Sequence, residues 1–99
     1  MIEAQKVAVV NDAAFVMSFD VQTPGGKTDS SGNYPIDQSR TIDLGDTPFR
    51  EGIEIWPVIH VVLGKTKSAD EHVIFKMNGQ TATYEVRGAT LTYSIKLLG

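Results

Sequence analysis

Two histidines and a set of scattered carboxylates are the side chains of this sequence best suited to acid–base chemistry or metal binding. His60 and His72 lie in or beside predicted strands, and no GxSxG elbow provides a nucleophile for them. Zinc needs three or four His, Cys or carboxylate ligands, which two separated histidines without any cysteine do not supply. A domain of this size also has little volume for the cleft that glycoside cleavage requires. We therefore expect a protein that is not an enzyme.

The long irregular segment from Thr23 to Tyr34 is rich in hydroxyl, amide and carboxylate oxygens. Its glycines do not have the spacing of a phosphate-binding loop, so a nucleotide site is not indicated. A flexible hairpin connection is one interpretation of this segment, and a ligand-binding loop is the other. Calcium binding stays an open alternative, although the EF-hand spacing is missing; its ligands would be oxygens of Asp29, Ser30, Ser31, Asn33 and Asp37. Apart from that ion we expect no cofactor and no metal.

Sugar binding is the function that the remaining polar and aromatic residues favour. A β-sandwich that recognises a sugar needs polar groups for the hydroxyls and an aromatic face for the C–H side of the ring. Six residues of these types are predicted on or near loops, namely Asp29, Asn33, Tyr34, Asp46, Phe49 and Trp56. We predict that they form the ligand-binding site, although Trp56 is equally compatible with a place in the core.

The strands that must position these residues are indicated by apolar alternation. The longest apolar run extends from Gly52 to Gly64, is rich in Ile and Val, and predicts a central strand in which Pro57 makes a bulge or faces an unpaired edge. Strands are also predicted at 5–10, 14–22 and 39–44. The segments 73–77, 82–86 and 91–97 indicate a final antiparallel meander.

Turn signals between these strands predict how they connect. Asn11-Asp12 and Asn78-Gly79 are typical of tight hairpins, and Arg87-Gly88 is predicted to turn the chain once more. About seven strands and no major helix indicate an all-β fold, an antiparallel β-sandwich with a single domain over residues 1–99.

Bulk properties limit the partners and the compartment. The formal net charge of −3 disfavours nucleic acid, and no apolar run approaches the ~20 residues of a membrane span, so we expect no membrane insertion. The absence of cysteine fits a reducing compartment. No signal peptide is recognisable, so the cytoplasm is the expected location, with non-classical secretion as an alternative.

Four stretches together resemble small, cysteine-free β-sandwich haemagglutinins of the slime-mould type and similar uncharacterised bacterial proteins. They are VNDAAFVMSFDV at 10–21, SGNYPIDQSRTIDLGD at 31–46, GIEIWPVIHVVLGK at 52–65 and NGQTATYEVRGATLTYSIKLL at 78–98. The resemblance implies a legume-lectin-like jelly roll that binds glycans or glycoproteins without catalysis.

Two functional hypotheses follow. An agglutinin needs several sites per particle, so the first hypothesis, a carbohydrate-binding protein, includes a homo-oligomer. The alternative is a structural or protein-interaction module without a sugar ligand, which contacts its partner through the edge at 52–64 or the hydroxyl face at 90–96.

Overall fold

The computed structural model describes residues 1–99 as ten β-strands and one short 3₁₀ turn, without any α-helix. The strands are β1 (Glu3–Ala4), β2 (Lys6–Asn11), β3 (Met17–Thr23), β4 (Gly26–Lys27), β5 (Gln38–Asp43), β6 (Glu54–Val61), β7 (Thr66–Ser68), β8 (Val73–Phe75), β9 (Thr81–Ala89) and β10 (Thr92–Leu97). The 3₁₀ turn spans Leu44–Asp46. No helix of the molecule could cross a membrane.

Two sheets face each other across one core. The first sheet has the order β1-β8-β6-β3-β4, with β7 also paired to β6, and the second has the order β10-β9-β2-β5. The core is a single cluster of buried apolar side chains from both sheets, the largest being Tyr34, Tyr84, Phe19, Phe75 and Met17. Alternation along β3 and β6 points one set of side chains into this cluster and the other set outward.

The prediction of an all-β sandwich is confirmed, but the prediction that it is purely antiparallel with about seven strands is wrong. β1 pairs with β8 and β2 pairs with β9 in parallel. The additional strands are short ones, β1, β4 and β7, each of two or three residues. Such strands contain too few residues to show alternation, which explains why the sequence did not reveal them.

Two predicted hairpins are wrong because the chain changes sheet at both turn signals. Asn11 ends β2, and its buried side chain accepts a hydrogen bond from the Ala13 amide and donates to the Phe15 carbonyl, which turns the chain toward the other sheet. Asn78-Gly79 likewise connects β8 of the first sheet to β9 of the second. The predicted three-strand meander is therefore wrong, although β9 and β10 do form a hairpin.

Pro57 lies inside β6 without a bulge. The pairing of β6 with β3 is continuous from Met17↔Val61 to Gln22↔Trp56. On the other side of β6 the partner changes from β8 to β7 at this point, and the Pro57 carbonyl accepts from the Ala69 amide. The missing N–H therefore faces the gap between two short strands, in agreement with the second of the two predicted alternatives.

Candidate functional site

One groove brings together three of the six predicted site residues. Asp29, Asp46 and Phe49 line a solvent-open depression of about 360 Å³ between the β3–β4 hairpin and the loop that follows the 3₁₀ turn. We call it the Asp29/Asp46 groove, and its other lining residues are Gly26, Lys27, Thr28, Thr47 and Pro48. Both aspartates are exposed, and neither forms an ion pair with a basic side chain.

The 3₁₀ turn that carries Asp46 is held on both sides. Leu44 is fully buried, and the carboxylate of Asp43 accepts hydrogen bonds from the Gly45 amide at 2.8 Å and from the Gln5 side chain at 3.0 Å. These bonds, with that from Gln5 first, lower the pKa of Asp43 below its usual value. The hydroxyl of Thr47 donates to the Leu44 carbonyl at 2.6 Å and closes the turn. The position of Asp46 is thus fixed by its neighbours.

Phe49 forms the boundary between the polar groove and a smaller apolar depression. Its ring packs against Gly26, where an added Cβ would lie 3.3 Å from the ring, so the hairpin backbone can approach it closely. On its other side, Phe49 helps to line a second depression of about 240 Å³ with Thr23, Pro24, Gly25, Pro48, Arg50 and Ile53. A half-exposed aromatic ring therefore separates a carboxylate-lined surface from an apolar one.

Tyr34 is in the core and does not reach the groove. It is 1% exposed, and its hydroxyl donates to the Val9 carbonyl at 2.8 Å. Burial raises the pKa of Tyr34 well above its ordinary value, with Arg40 opposing this effect from 4.9 Å above the ring. The structure uses this hydroxyl to connect the 28–34 segment to the second sheet.

The hydroxyls of the long loop satisfy the open edge of β3. The oxygens of Ser31 and Thr28 accept hydrogen bonds from the Phe19 and Val21 amides at 2.9 and 3.0 Å, in place of a neighbouring strand. Asn33 is exposed but does not line the groove. No group of three or more His, Asp or Glu side chains lies close enough together to hold a metal ion.

Trp56 lies on the outer face of the first sheet and does not line the groove. The ring is half-buried and stacks on His72 with centroids 4.2 Å apart and an interplanar angle of 15°. Nδ1 of His72 is 3.1 Å from a carboxylate oxygen of Glu54. One face of the indole is therefore covered by the imidazole, and the partly buried ring also packs against the core cluster.

The second histidine, His60, belongs to a polar row on the same outer face. Its Nε2 lies 2.9 Å from Oδ2 of the buried Asp20, and its Nδ1 lies 3.3 Å from the hydroxyl of Thr66. Asp20 also accepts from Gln22 at 3.2 Å. This row satisfies a buried carboxylate. Asp20 could not be recognised from the sequence, because its position in β3 only identifies it as outward-facing.

The surfaces named for a protein-interaction module differ from their prediction. The 52–64 segment does not provide an edge, because β6 pairs with β3 on one side and with β7 and β8 on the other. β10 is an edge strand, but Lys67 donates to its Tyr93 carbonyl and Glu71 accepts from its Leu97 amide. One side chain from β7 and one from the β7–β8 loop thus cover part of this edge.

No protein-family model matches the sequence, and no curated protein matches it. Among solved structures, one described as a Gram-negative toxin shares the fold with a TM-score of 0.51 at 14% identity, over 94% of this chain and 22% of that chain. The human-specific toxin intermedilysin gives a TM-score of 0.48 at 15% identity, over 93% of this chain and 22% of its own. This chain spans less than a quarter of either toxin. At such identity the likeness concerns the fold alone.

Proposed function

We propose that this chain is a non-catalytic carbohydrate-binding protein and that the Asp29/Asp46 groove is its binding site. The observation that supports the proposal is the meeting of two exposed carboxylates, from separate loops and without cationic partners, beside the half-exposed ring of Phe49. Ionised carboxylates accept hydrogen bonds strongly, and a sugar presents several hydroxyl donors on one edge.

The groove offers each kind of contact that a sugar needs. Asp29 and Asp46 would accept from hydroxyl groups, while the ammonium of Lys27 provides donors on the same lining. The apolar edge of Phe49 would pack against the C–H side of a ring. The volume of about 360 Å³ is near the lower end of small-ligand sites, which suits a terminal sugar more than a long chain.

A single shallow site of this kind binds weakly, so we propose that the protein acts as a homo-oligomer. Closed symmetry would present several copies of the groove to one glycosylated surface, and the linked binding events raise the total avidity. The oligomer is tested by analytical ultracentrifugation at several concentrations. A monomer at every concentration, together with agglutination, would contradict this part of the proposal.

A glycan array with and without a calcium chelator tests the main proposal. We expect selective binding to a related group of glycans, and a loss of about 10-fold to 100-fold in affinity for Asp46→Asn, because a hydrogen bond to a charged group is removed. Phe49→Leu should weaken binding as well. Asp37→Asn is the matched control, since Asp37 is an exposed carboxylate outside the groove whose positive φ of 68° suits Asn. A blank array with folded protein would refute carbohydrate binding.

The second candidate function is a protein-interaction module, and the outer face of β10 favours it. Thr92, Ser94 and Lys96 alternate along this edge strand and are all exposed. A partner would contact these side chains, since part of the strand edge is covered. If the array is blank, cross-linking of a Ser94→Cys variant to partners, compared with Ser30→Cys in the long loop, tests this surface directly.

A further inference from the structure

Four aliphatic side chains are exposed together at one end of the sandwich. Leu63 is 99% exposed, Leu91 is 72% exposed, and Val16 and Val62 are each more than 40% exposed. We call this set the leucine tip. Isolated apolar residues on a surface are ordinary, but a contiguous group of this kind marks an interaction site.

The backbone brings the members of the leucine tip together. Leu63 lies in the turn between β6 and β7, and Leu91 lies in the turn between β9 and β10. The Lys65 amide donates to the Thr90 carbonyl at 3.5 Å, and the Val62 amide donates to the Val16 carbonyl at 3.0 Å. The hydroxyl of Tyr93 donates to the Lys65 carbonyl at 2.8 Å, which fixes one turn on the other. These hydrogen bonds hold the turns that carry the leucine tip in fixed positions relative to each other.

Leu63 occupies a backbone conformation that leucine rarely adopts. Its φ is 57°, in the left-handed region that Gly, Asn and Asp favour. A turn selected only for stability would place one of those residues here and would not expose a whole aliphatic side chain. Strained residues of this kind are concentrated at functional positions. The local cost at Leu63 points to a use for its exposed side chain.

The turn that carries Leu63 is basic, in contrast with the whole chain. Residues 61–69 contain Lys65 and Lys67 but no Asp or Glu, whereas the formal net charge of the protein is −3. Arg87 and Lys96 do not add to this charge, because Arg87 pairs with Glu85 and Lys96 lies opposite Glu85 in the β9–β10 hairpin. Lys65 and Lys67 follow Leu63 within four residues, and both are exposed. Aliphatic side chains beside lysines are the combination that binds an anionic lipid surface.

We propose that the leucine tip docks onto anionic phospholipid membranes, with Leu63 and Leu91 entering the boundary between headgroups and acyl chains. Only these side chains would enter the lipid, and no segment of the chain would span the bilayer. Even this shallow insertion differs from the sequence-based expectation of no membrane insertion. A second copy of the chain fits the tip less well. Four side chains fall far short of the ~800 Å² per partner of a stable interface, and a two-fold contact would bring Lys65 and Lys67 near their own copies.

The docking would leave the proposed sugar site accessible. β3 begins beside the tip, with Met17 after Val16, and it ends at Thr23, where the β4 hairpin adjoins the Asp29/Asp46 groove. The molecule is 34 Å long. A membrane at the tip would therefore lie toward the opposite end from the groove.

Flotation with vesicles that lack glycolipid tests this proposal independently of carbohydrate binding. We expect the protein to float with vesicles of phosphatidylcholine and phosphatidylserine, to float poorly with phosphatidylcholine alone, and to dissociate at high salt. Leu63→Asn combined with Leu91→Asn should reduce the bound fraction at least about 10-fold, because two leucines leave the apolar phase. Asn also suits the positive φ at position 63, so the variant should fold.

Met77→Asn is the matched control, because Met77 is 56% exposed and precedes β9, at the far end of that strand from the tip. It should float like the wild type. Equal flotation of the wild type and the double variant would overturn the proposal, as would the absence of flotation. A dimer that forms without vesicles and is lost in the double variant would also overturn it, by assigning the tip to a second copy.

Discussion

The hydroxyl of Tyr34 provides the sharpest test of how the two sheets are connected. Tyr34→Phe removes one oxygen, which donates to the Val9 carbonyl at 2.8 Å, and leaves the ring in place. The edge contact between the rings of Tyr34 and Phe19, with centroids 6.4 Å apart, is preserved. The change therefore isolates the hydrogen bond from the packing.

The expected loss follows from burial. Tyr34 is 1% exposed, so water cannot replace the lost donor, and an unsatisfied buried group costs about 1–3 kcal/mol. We take about 1.5 kcal/mol. With an unfolding entropy of about 2.1 cal/mol/K per residue, a chain of 99 residues should lose about 7 °C in Tm.

Urea unfolding followed by the fluorescence of Trp56, the sole tryptophan, measures the difference. The midpoint should fall while the slope m stays unchanged. Tyr93→Phe is the comparison. Tyr93 is also buried, and its hydroxyl lies 3.4 Å from the Ile59 carbonyl, but its shorter hydrogen bond goes to the carbonyl of the exposed Lys65, which water can reach once the hydroxyl is removed. The expected cost is therefore lower, about 0.5–1 kcal/mol. Equal stability of Tyr34→Phe and wild type would refute the reasoning. If the folded Tyr34→Phe variant loses glycan binding, Tyr34 belongs to the binding site as the sequence predicted.

Three further perturbations test other parts of the structure. Gly88→Ala should cost about 3 kcal/mol or more by thermal unfolding, because φ of Gly88 is 126° and an added Cβ would lie 2.5 Å from the Thr92 carbonyl oxygen. Gly79→Ala is the control: no atom lies within 4 Å of an added Cβ there, and the change should cost about 1 kcal/mol. Burial raises the pKa of Tyr34 and Tyr84 above 10.0, so above about pH 10 the folded state keeps protons that the unfolded state releases. The free energy of unfolding should therefore be unaffected by these tyrosines below about pH 10 and fall above it by up to about 1.4 kcal/mol per pH unit for each tyrosine. A free energy of unfolding that does not change from pH 9 to 12 would contradict this. His60→Ala should cost about 1–2 kcal/mol because it leaves the buried Asp20 carboxylate with Gln22 alone, and a double-mutant cycle with Asp20→Ala that shows no coupling would exclude this pair.

The positions of the long strands follow from the sequence, but their partners do not. Alternating side chains reveal β3, β6 and β10 because one face of each is buried, and that information is local. Pairing depends on contacts between distant residues. Asn78-Gly79 has the composition of a hairpin turn, and Gly79 does adopt a positive φ of 73°, yet the strands on either side belong to different sheets.

The same limit applies to the candidate site. Asp29, Asp46 and Phe49 were selected by residue type and predicted loop position, and three loop residues near one end of a small sandwich tend to lie close together. Trp56 could not be placed this way. Its stacking on His72 follows from the antiparallel pairing of β6 with β8, in which Glu54 lies opposite Ile74, so that Trp56, two residues after Glu54, comes beside His72, two residues before Ile74. Tyr34 could not be placed either, since a loop tyrosine gives no local signal of burial.

The parallel pairing of β2 with β9 has a consequence for biosynthesis. Lys6 pairs with Thr81 and Glu3 pairs with Ile74, so β1 and β2 find these partners only after about 70 further residues have been synthesised. Until then, Val7 and Val9 on the nascent chain cannot complete the core that buries them in the finished protein. Such non-local contacts slow folding and leave strand edges open to other chains. β1 and β2 therefore stay open to contacts with other chains until β8 and β9 have been synthesised.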